Sequence, residues 1–247
     1  MSNINDNFFD GYYKDIWKAT IPGILTEREL KFILSYFNLQ PGQHVLDLMC
    51  GYGRHSLGLA AEGMEVTAVD NLQDYITEID TKAKEQGLVI HTSCASALDF
   101  PIPAPCDLAI CMGNSLNFFS PPELATVLAR IAAATRSGGS LLINSWSIAE
   151  IAIPSFKEKS EAMVGDYHFA SECKYLFHPT RMEIVSTMKA LDGTIETKEA
   201  VDYIYSLNEM ETMLQQAGFR IRECFSIPGR KAFALGEPRI YIVADKS

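Results

Sequence analysis

Apolar and polar positions alternate along the chain in two different periods, and the switch between them organises it. Leu30, Ile33, Leu34 and Phe37 recur at helical spacing behind Thr26-Glu-Arg-Glu29, a capping-box sequence. A helix is therefore expected to start there and end near Asn38, with Pro41-Gly42 as the turn. His44 to Met49 is a short apolar strand running into Cys50-Gly51-Tyr52-Gly53, and a helix follows to Gly63. Glu65 to Asp70 (EVTAVD) reads as a second strand, followed by a helix that Gly87 stops. Leu88 to Ser93 and Asp107 to Cys111 read as strands three and four. Ser120-Pro-Pro-Glu123 joins a capping box to a proline at the first helical position. That helix runs through Leu128 and Ile131 to Gly138-Gly139, and Leu141 to Trp146 is strand five. Five strands alternating with helices predict a parallel, doubly wound α/β sheet.

The rhythm changes after Trp146. Residues 166–206 read as extended segments, with Asp192-Gly193 as a hairpin turn between MEIVSTMKAL and TIETKEAVDYIY. Ser206-Leu-Asn-Glu209 opens one more helix, ended by Gly218, and FRIRECFSI and RIYIVAD supply two final strands. The expectation is one domain over 1–247 built on a seven-stranded, mostly parallel sheet, with a small antiparallel β insert before the last helix. Its parts are an N-terminal cap (1–40), a core (41–147 and 207–247) and an insert or lid (148–206). Met182, Ile184, Ser186 and Met188 alternate with Arg181, Glu183, Val185 and Thr187. Such a face packs on its own domain or on a second subunit, which leaves a homodimer open.

Composition narrows the partners. The 247 residues are 47% apolar, ample for a buried core and unlike a disordered chain. The excess of 31 acidic over 21 basic side chains, net −10, argues against nucleic acid and against an anionic membrane surface. No stretch approaches the ~18 apolar residues of a spanning helix, and MSNINDNFFDGYYKD lacks the character of a signal peptide. Six cysteines form no CxxC pair and no zinc spacing, so no metal is expected and a cytoplasmic, reducing setting is.

Gly51 and Gly53 allow tight turning and close ligand approach at a helix N-terminus. Asp70 ends the second strand 17 residues beyond Gly53, where a carboxylate can accept both hydroxyls of an adenosine ribose. A dinucleotide fingerprint wants a third glycine where this chain has Ser56. Asp47, two residues before the loop, offers a carboxylate suited to a cationic cofactor instead.

At these residues the chain resembles the class I S-adenosylmethionine (SAM)-dependent methyltransferases. VLDLMCGYGRHSLGLA is similar to their first motif, with Met49 where the first glycine of GxGxG usually stands. AVDNLQDYI resembles the second, placing Asp70 on the ribose with Asn71 and Leu72 beside the adenosine. TSCASALDF resembles the third, with Cys94 at the usual acid position, so adenine falls to backbone amides and to Ala95 or Ser96. DLAICMGNSLNFF resembles the fourth, where Met112 and Asn114 would border the methionine part, and SGGSLLINSW looks like strand five with its preceding turn. The likeness implies a Rossmann-like fold with SAM as cofactor, held by Asp47, Met49, Cys50, Gly51, Gly53, Asp70, Asn71, Leu72, Ala95, Ser96, Met112 and Asn114. The hairpins and the last helix, NEMETMLQQAGF, are similar to small-molecule members, including amino-sugar N,N-dimethyltransferases. A comparable insert in those enzymes forms a lid or an oligomer contact.

Methyl transfer from a sulfonium demands alignment and water exclusion more than a protein nucleophile. Tyr13 lies in the aromatic N-terminal stretch, His55 follows the glycine loop as the best-placed base, and Asn117 follows strand four. These three are the catalytic candidates. Trp17 reads as packing, and Trp146 as an acceptor-pocket wall or core. Arg181 and Tyr203 would reach a substrate only if the insert covers the site, and His168 and His178 read as solvated. Cys50 has no partner base. The expected partner is a small-molecule acceptor methylated at N or O. An NAD-type oxidoreductase and a non-catalytic SAM-binding interaction module are the rival readings. Nucleic-acid methylation is disfavoured, because Met112-Gly113-Asn114-Ser115 stands where an Asn-Pro-Pro-aromatic run would be needed.

Overall fold

A computed structural model describes residues 3–247, so the first two residues of the expected cap lie outside it. The parallel core consists of β1 (His44–Leu48), β2 (Glu65–Asp70), β3 (Ile90–Cys94), β4 (Cys106–Cys111) and β5 (Thr135–Ser145). β1 sits at the centre, Val45 pairing with Val66 of β2 on one side and Leu108 of β4 on the other. Alternate residues feed two cores. Leu46, Leu48, Cys111 and Ile143 pack beneath α5 (Pro121–Ala134), whereas Val45, Val66, Leu108 and Ile110 pack beneath α2 (Gly23–Tyr36) and α3 (Arg54–Ala61). Helices therefore cover both faces, with α4 (Gln73–Gln86) joining β2 to β3, as a doubly wound sheet requires.

The antiparallel insert is a separate four-stranded sheet of β6 (Lys159–Val164), β7 (Tyr167–Phe177), β8 (Thr180–Ala190) and β9 (Ile195–Tyr203). It starts at Lys159, ahead of the expected 166. On the face carrying Ser186 and Met188, those two residues are buried within the chain itself, and Met182 and Ile184 are half-buried. Lys198 donates to the Asn7 carbonyl and pairs with Asp10, and Glu196 accepts from the Tyr12 amide at the start of α1 (Tyr12–Thr20). Beyond α7 (Leu207–Gln216), β10 (Phe219–Ile227), β11 (Lys231–Ala232) and β12 (Ile240–Lys246) complete the main sheet in the order β11-β10-β12-β5-β4-β1-β2-β3. Its strands number eight rather than the expected seven, because the short β11 pairs with β10.

Other expectations shift for local physical reasons. Both halves of the capping boxes at Ser120 and Ser206 are formed. The one at Thr26 is not, because α2 begins at Gly23 behind Pro22. Thr26 Oγ1 instead accepts from Arg54, and Glu29 is drawn into a buried cluster. The helix expected to reach Gly138-Gly139 stops at Ala134, and β5 runs through both glycines. A Cβ on Gly139 would lie 3.0 Å from the Asp107 carbonyl oxygen, so only glycine lets β5 approach β4 here. α1, α6 (Ala149–Ser155) and a 3-10 turn at Ser115–Phe118 were not legible as elements.

Candidate functional site

The site forms where β1 delivers the chain to α3. Met49, Gly51 and Gly53 have positive φ (59°, 55° and 75°), so the backbone coils tightly and turns its amides toward the strand ends. Met49 thus holds the left-handed conformation that a glycine would take freely, at a cost of ~1 kcal/mol. Gly53 is required by packing: a Cβ there would fall 2.5 Å from Ile79 Cγ1 of α4. At Gly51 a Cβ would meet no protein atom within 4 Å and would project into open space. One glycine serves the helix contact and the other leaves room.

Two carboxylates flank that space. Asp70 Oδ2 accepts from the Gly51 amide at 2.8 Å, and Oδ1 accepts from the Leu72 amide at 3.0 Å. Burial, reinforced by the charge of Asp47, pushes its carboxyl up to about 6 against the pull of those amides. Asp47 is fully enclosed and accepts from Ser56 Oγ at 2.6 Å. Burial raises its carboxyl too, while the charge of His55 and the Ser56 hydrogen bond act in the opposite sense. Such an environment favours a ligand bringing hydroxyl donors and positive charge. Cys50, between them, has its thiol raised far up by burial and by both carboxylates, which makes it a poor nucleophile.

The resulting cleft encloses about 960 Å³ of open space, mouth included. Asp47, Met49, Cys50, Gly51, Asp70, Asn71, Ala95, Ser96 and Met112 all line it. Gly53, Leu72 and Asn114 do not. Gly53 packs on Ile79, and Leu72 contributes its amide to Asp70. Asn114 is a buried hub: its Oδ1 accepts from Ser145 Oγ and from the Trp146 and Ser147 amides, and its Nδ2 donates to Ser147 Oγ and Asp202.

The three catalytic candidates lie in different surroundings. His55 borders the cleft, but its Nε2 lies 3.0 Å from Glu29 Oε2, so that nitrogen is committed to a carboxylate. Arg54 and the Tyr241 hydroxyl also donate to Glu29. Burial would raise the Glu29 carboxyl, but His55 and Arg54 outweigh it and hold it down to about 2. Asn117 is buried, ties the 3-10 turn to the carbonyls of Ser147 and Tyr203, and does not line the cleft. Tyr13 packs among Phe8, Phe9 and Phe169, outside the cleft lining. Arg181 pairs with Glu183, and His168 and His178 are exposed.

The residues that sequence reasoning missed come mainly from the N-terminus. Asn3, Asn5, Asp6 and Phe9 line the cleft, and polar bonds rather than periodicity hold them. Asn5 donates to the Phe118 and Val201 carbonyls, and the Phe9 carbonyl accepts from Tyr75 at 3.0 Å. The segment therefore spans from α4 to the last strand of the insert. The density of aromatics in FFDGYYKDIW was its only sequence signal. Trp17 and Trp146, 5.9 Å apart, and Arg239 line an adjoining cavity with about 590 Å³ of open space, mouth included.

Residues 45–139, the stretch from β1 into β5, match the family described as "Methyltransferase domain". Over that stretch the chain is similar to a methyltransferase domain. Over 157 residues it is 32% identical to glycine N-methyltransferase of Rattus norvegicus, covering 57% of this chain and 54% of that one. Its fold is that of a SAM-dependent methyltransferase from Clostridium acetobutylicum, with 19% identity, 98% of each chain covered and a TM-score of 0.81. It is likewise that of the amino pentose methyltransferase CalS10 of Micromonospora echinaspora, with 16% identity, 96% and 98% covered and a TM-score of 0.71. The chain spans between 12% and 36% of the length of the first curated relatives it matches. SAM fits the residues present: the space beside Gly51, the carboxylate of Asp70 for hydroxyl donors, and the buried Asp47 beneath the cleft.

Proposed function

We propose that this protein is a methyltransferase that moves a methyl group from SAM to nitrogen or oxygen of a small-molecule acceptor. The observation that carries the reading is the coupling of Asp70 to the Gly51 amide at the edge of the space that Gly51 leaves open. When bound, SAM supplies a methyl group already activated by its sulfonium. Asp70 and Asn71 would hold the ribose, Ala95 and Ser96 the adenine, and Met49, Cys50 and Met112 the methionine part. Asp47 stays unexposed and acts through its charge, while the N-terminal segment excludes water. Alignment rather than a protein nucleophile then provides the rate, worth ~7–11 kcal/mol where geometry is right.

A small acceptor is favoured because the N-terminal segment and the insert close over the C-terminal end of the sheet, and because the net charge of −10 repels a polyanion. The insert is the proposed lid. We also propose a cytoplasmic setting, which suits thiols such as Cys106 and Cys111 that serve as buried apolar side chains. No helix among the described residues is long and apolar enough to cross a membrane. A screen of metabolites with methyl-labelled SAM tests the reading: label on a small molecule supports it, and label only on added RNA contradicts the acceptor class.

A further inference from the structure

The cavity adjoining the cleft is left without a role by the cofactor. Both tryptophans of the chain line it, Trp17 from α1 and Trp146 from just beyond β5. Ile240 of β12 pairs with Ser145 of β5, so their chain neighbours Arg239 and Trp146 reach the same edge of the sheet. A Cβ on Gly113 would lie 3.3 Å from Trp17 Cζ2, so the bare backbone after β4 lets that indole approach. Trp17, Arg54 and Gly113 line the cleft as well, and the two spaces meet at them.

Apart from the indoles, the polar side chains of the lining are paired within the chain, with one exception. Arg54 pairs with Glu29, and the Tyr241 hydroxyl donates to the other oxygen of that carboxylate. Asn144 Nδ2 donates to the Ile240 carbonyl and its Oδ1 accepts from the Gly113 amide, while Thr20 Oγ1 donates to the Ile16 carbonyl. Arg239 is the exception. It is half-buried, and no carboxylate among the described residues lies within 4.0 Å of its guanidinium. Because Glu29 and Arg54 cancel, the lining carries one positive charge in a protein of net −10. A guanidinium without a counter-ion matches a carboxylate in charge and in its two-pronged shape. A dianion would call for a second free cation, and Arg54 is taken. The rest of the wall is apolar and largely flat, formed by the two indoles with Ile21, Pro22 and Leu25.

We propose that this cavity seats the acceptor and that the acceptor is an aromatic carboxylate. Its carboxylate pairs with Arg239, its ring lies against Trp146, and the ring substituent to be methylated comes to the junction at Trp17, Arg54 and Gly113. This rests on the methyltransferase reading above and names the acceptor class within it. An aryl ring gains offset stacking on an indole that an aliphatic chain does not. The carboxylate is the handle and not the methylated group, because the guanidinium fork engages the oxygen lone pairs that a methyl group would need.

Tryptophan emission reports on this cavity directly, since both tryptophans line it. The full chain, loaded with S-adenosylhomocysteine, is titrated with sodium benzoate, its neutral counterpart benzamide, sodium acetate and phenyl phosphate. The proposal expects a saturable change with benzoate at a Kd of about 1 mM, as suits so small a ligand. Benzamide and acetate should bind about tenfold more weakly or less, and phenyl phosphate no more tightly than benzoate. Arg239→Gln should reduce benzoate to the level of benzamide while S-adenosylhomocysteine still binds by calorimetry, and Arg239→Lys should recover part of the difference. A benzoate titration flat to about 10 mM, equal binding of benzoate and benzamide, or an Arg239→Gln response matching wild type overturns the assignment. Tighter binding of phenyl phosphate overturns it too. Labelled SAM is then offered with the ring isomers of hydroxybenzoate and aminobenzoate and with the corresponding benzamides. Label on the carboxylates, with KM raised and kcat retained in Arg239→Gln, supports the acceptor role. Label on the amides as readily, or on neither set, overturns that role. A wild type that binds no S-adenosylhomocysteine overturns the underlying reading instead.

Discussion

Ser56 Oγ donates to Asp47 Oδ2 at 2.6 Å, joining the first turn of α3 to the end of β1. A dinucleotide-binding loop places a glycine at this point so that helix and strand close over a pyrophosphate. Here a hydroxyl occupies the position and donates to a buried carboxyl. The same serine that stands in place of a third glycine therefore opposes the rise that burial gives the Asp47 carboxyl. Ser56→Ala should leave Asp47 without its side-chain donor and cost ~1–3 kcal/mol of stability. Urea denaturation measures this. Unchanged stability would mean that Asp47 is neutral in the folded protein.

The two glycines of the loop should separate fold from binding. Gly53→Ala meets Ile79 at 2.5 Å and a positive φ, so a strongly destabilised protein is expected. Gly51→Ala carries only the cost of its φ, ~1 kcal/mol, and should fold. Gly51 lines the cleft and its added methyl group meets no protein atom within 4 Å, so affinity for S-adenosylhomocysteine should fall by about tenfold or more. Melting temperature and calorimetry on both variants read the two effects. Equal losses of stability would contradict the division.

Glu29 shows where sequence reading failed and why. Thr26 to Glu29 has the spacing of a capping box, a local signal, yet Glu29 is held by Arg54, His55 and Tyr241, the last 212 residues away. Such partners leave no trace in local pattern. His55 lies beside the loop as its position predicts, and its bond to the distant Glu29 has no local signal. In contrast, strands β1 to β5 and the placing of Gly51 and Asp70 beside one cleft follow from periodicity and from spacing along one βαβ unit. Asn114 and Asn117 were rightly placed after strand four, but their amides satisfy buried carbonyls and hydroxyls instead of facing a ligand. Glu29→Gln should leave Arg54 without its ion pair and lower stability by ~3 kcal/mol, read by thermal melting. A loss below ~1 kcal/mol would mean the cluster is not cohesive.

Stability should fall as pH rises toward neutrality. Asp70 and Asp202 have carboxyls raised to about 6, whereas an unfolded aspartate titrates near ~3.9. Between those values the folded protein holds protons that the unfolded chain has released, so their contribution is present below ~4 and lost through about 6. Glu29, lowered to about 2, acts oppositely, and its contribution is lost only as pH drops from ~4.5 through about 2. The melting temperature of the unliganded protein should therefore be higher at pH 5 than at pH 7.5. Relief of the net negative charge has the same sign, so Asp70→Asn is the control and should show a shallower slope. An identical slope in the variant would contradict the raised carboxyl of Asp70.

Calorimetric titration with S-adenosylhomocysteine and with NAD, on wild type and Asp70→Ala, tests the central claim most directly. The account predicts one-to-one binding of S-adenosylhomocysteine, no binding of NAD, and an affinity reduced about hundredfold in a folded Asp70→Ala. Binding of NAD in preference, or an affinity that Asp70→Ala leaves unchanged, would contradict it.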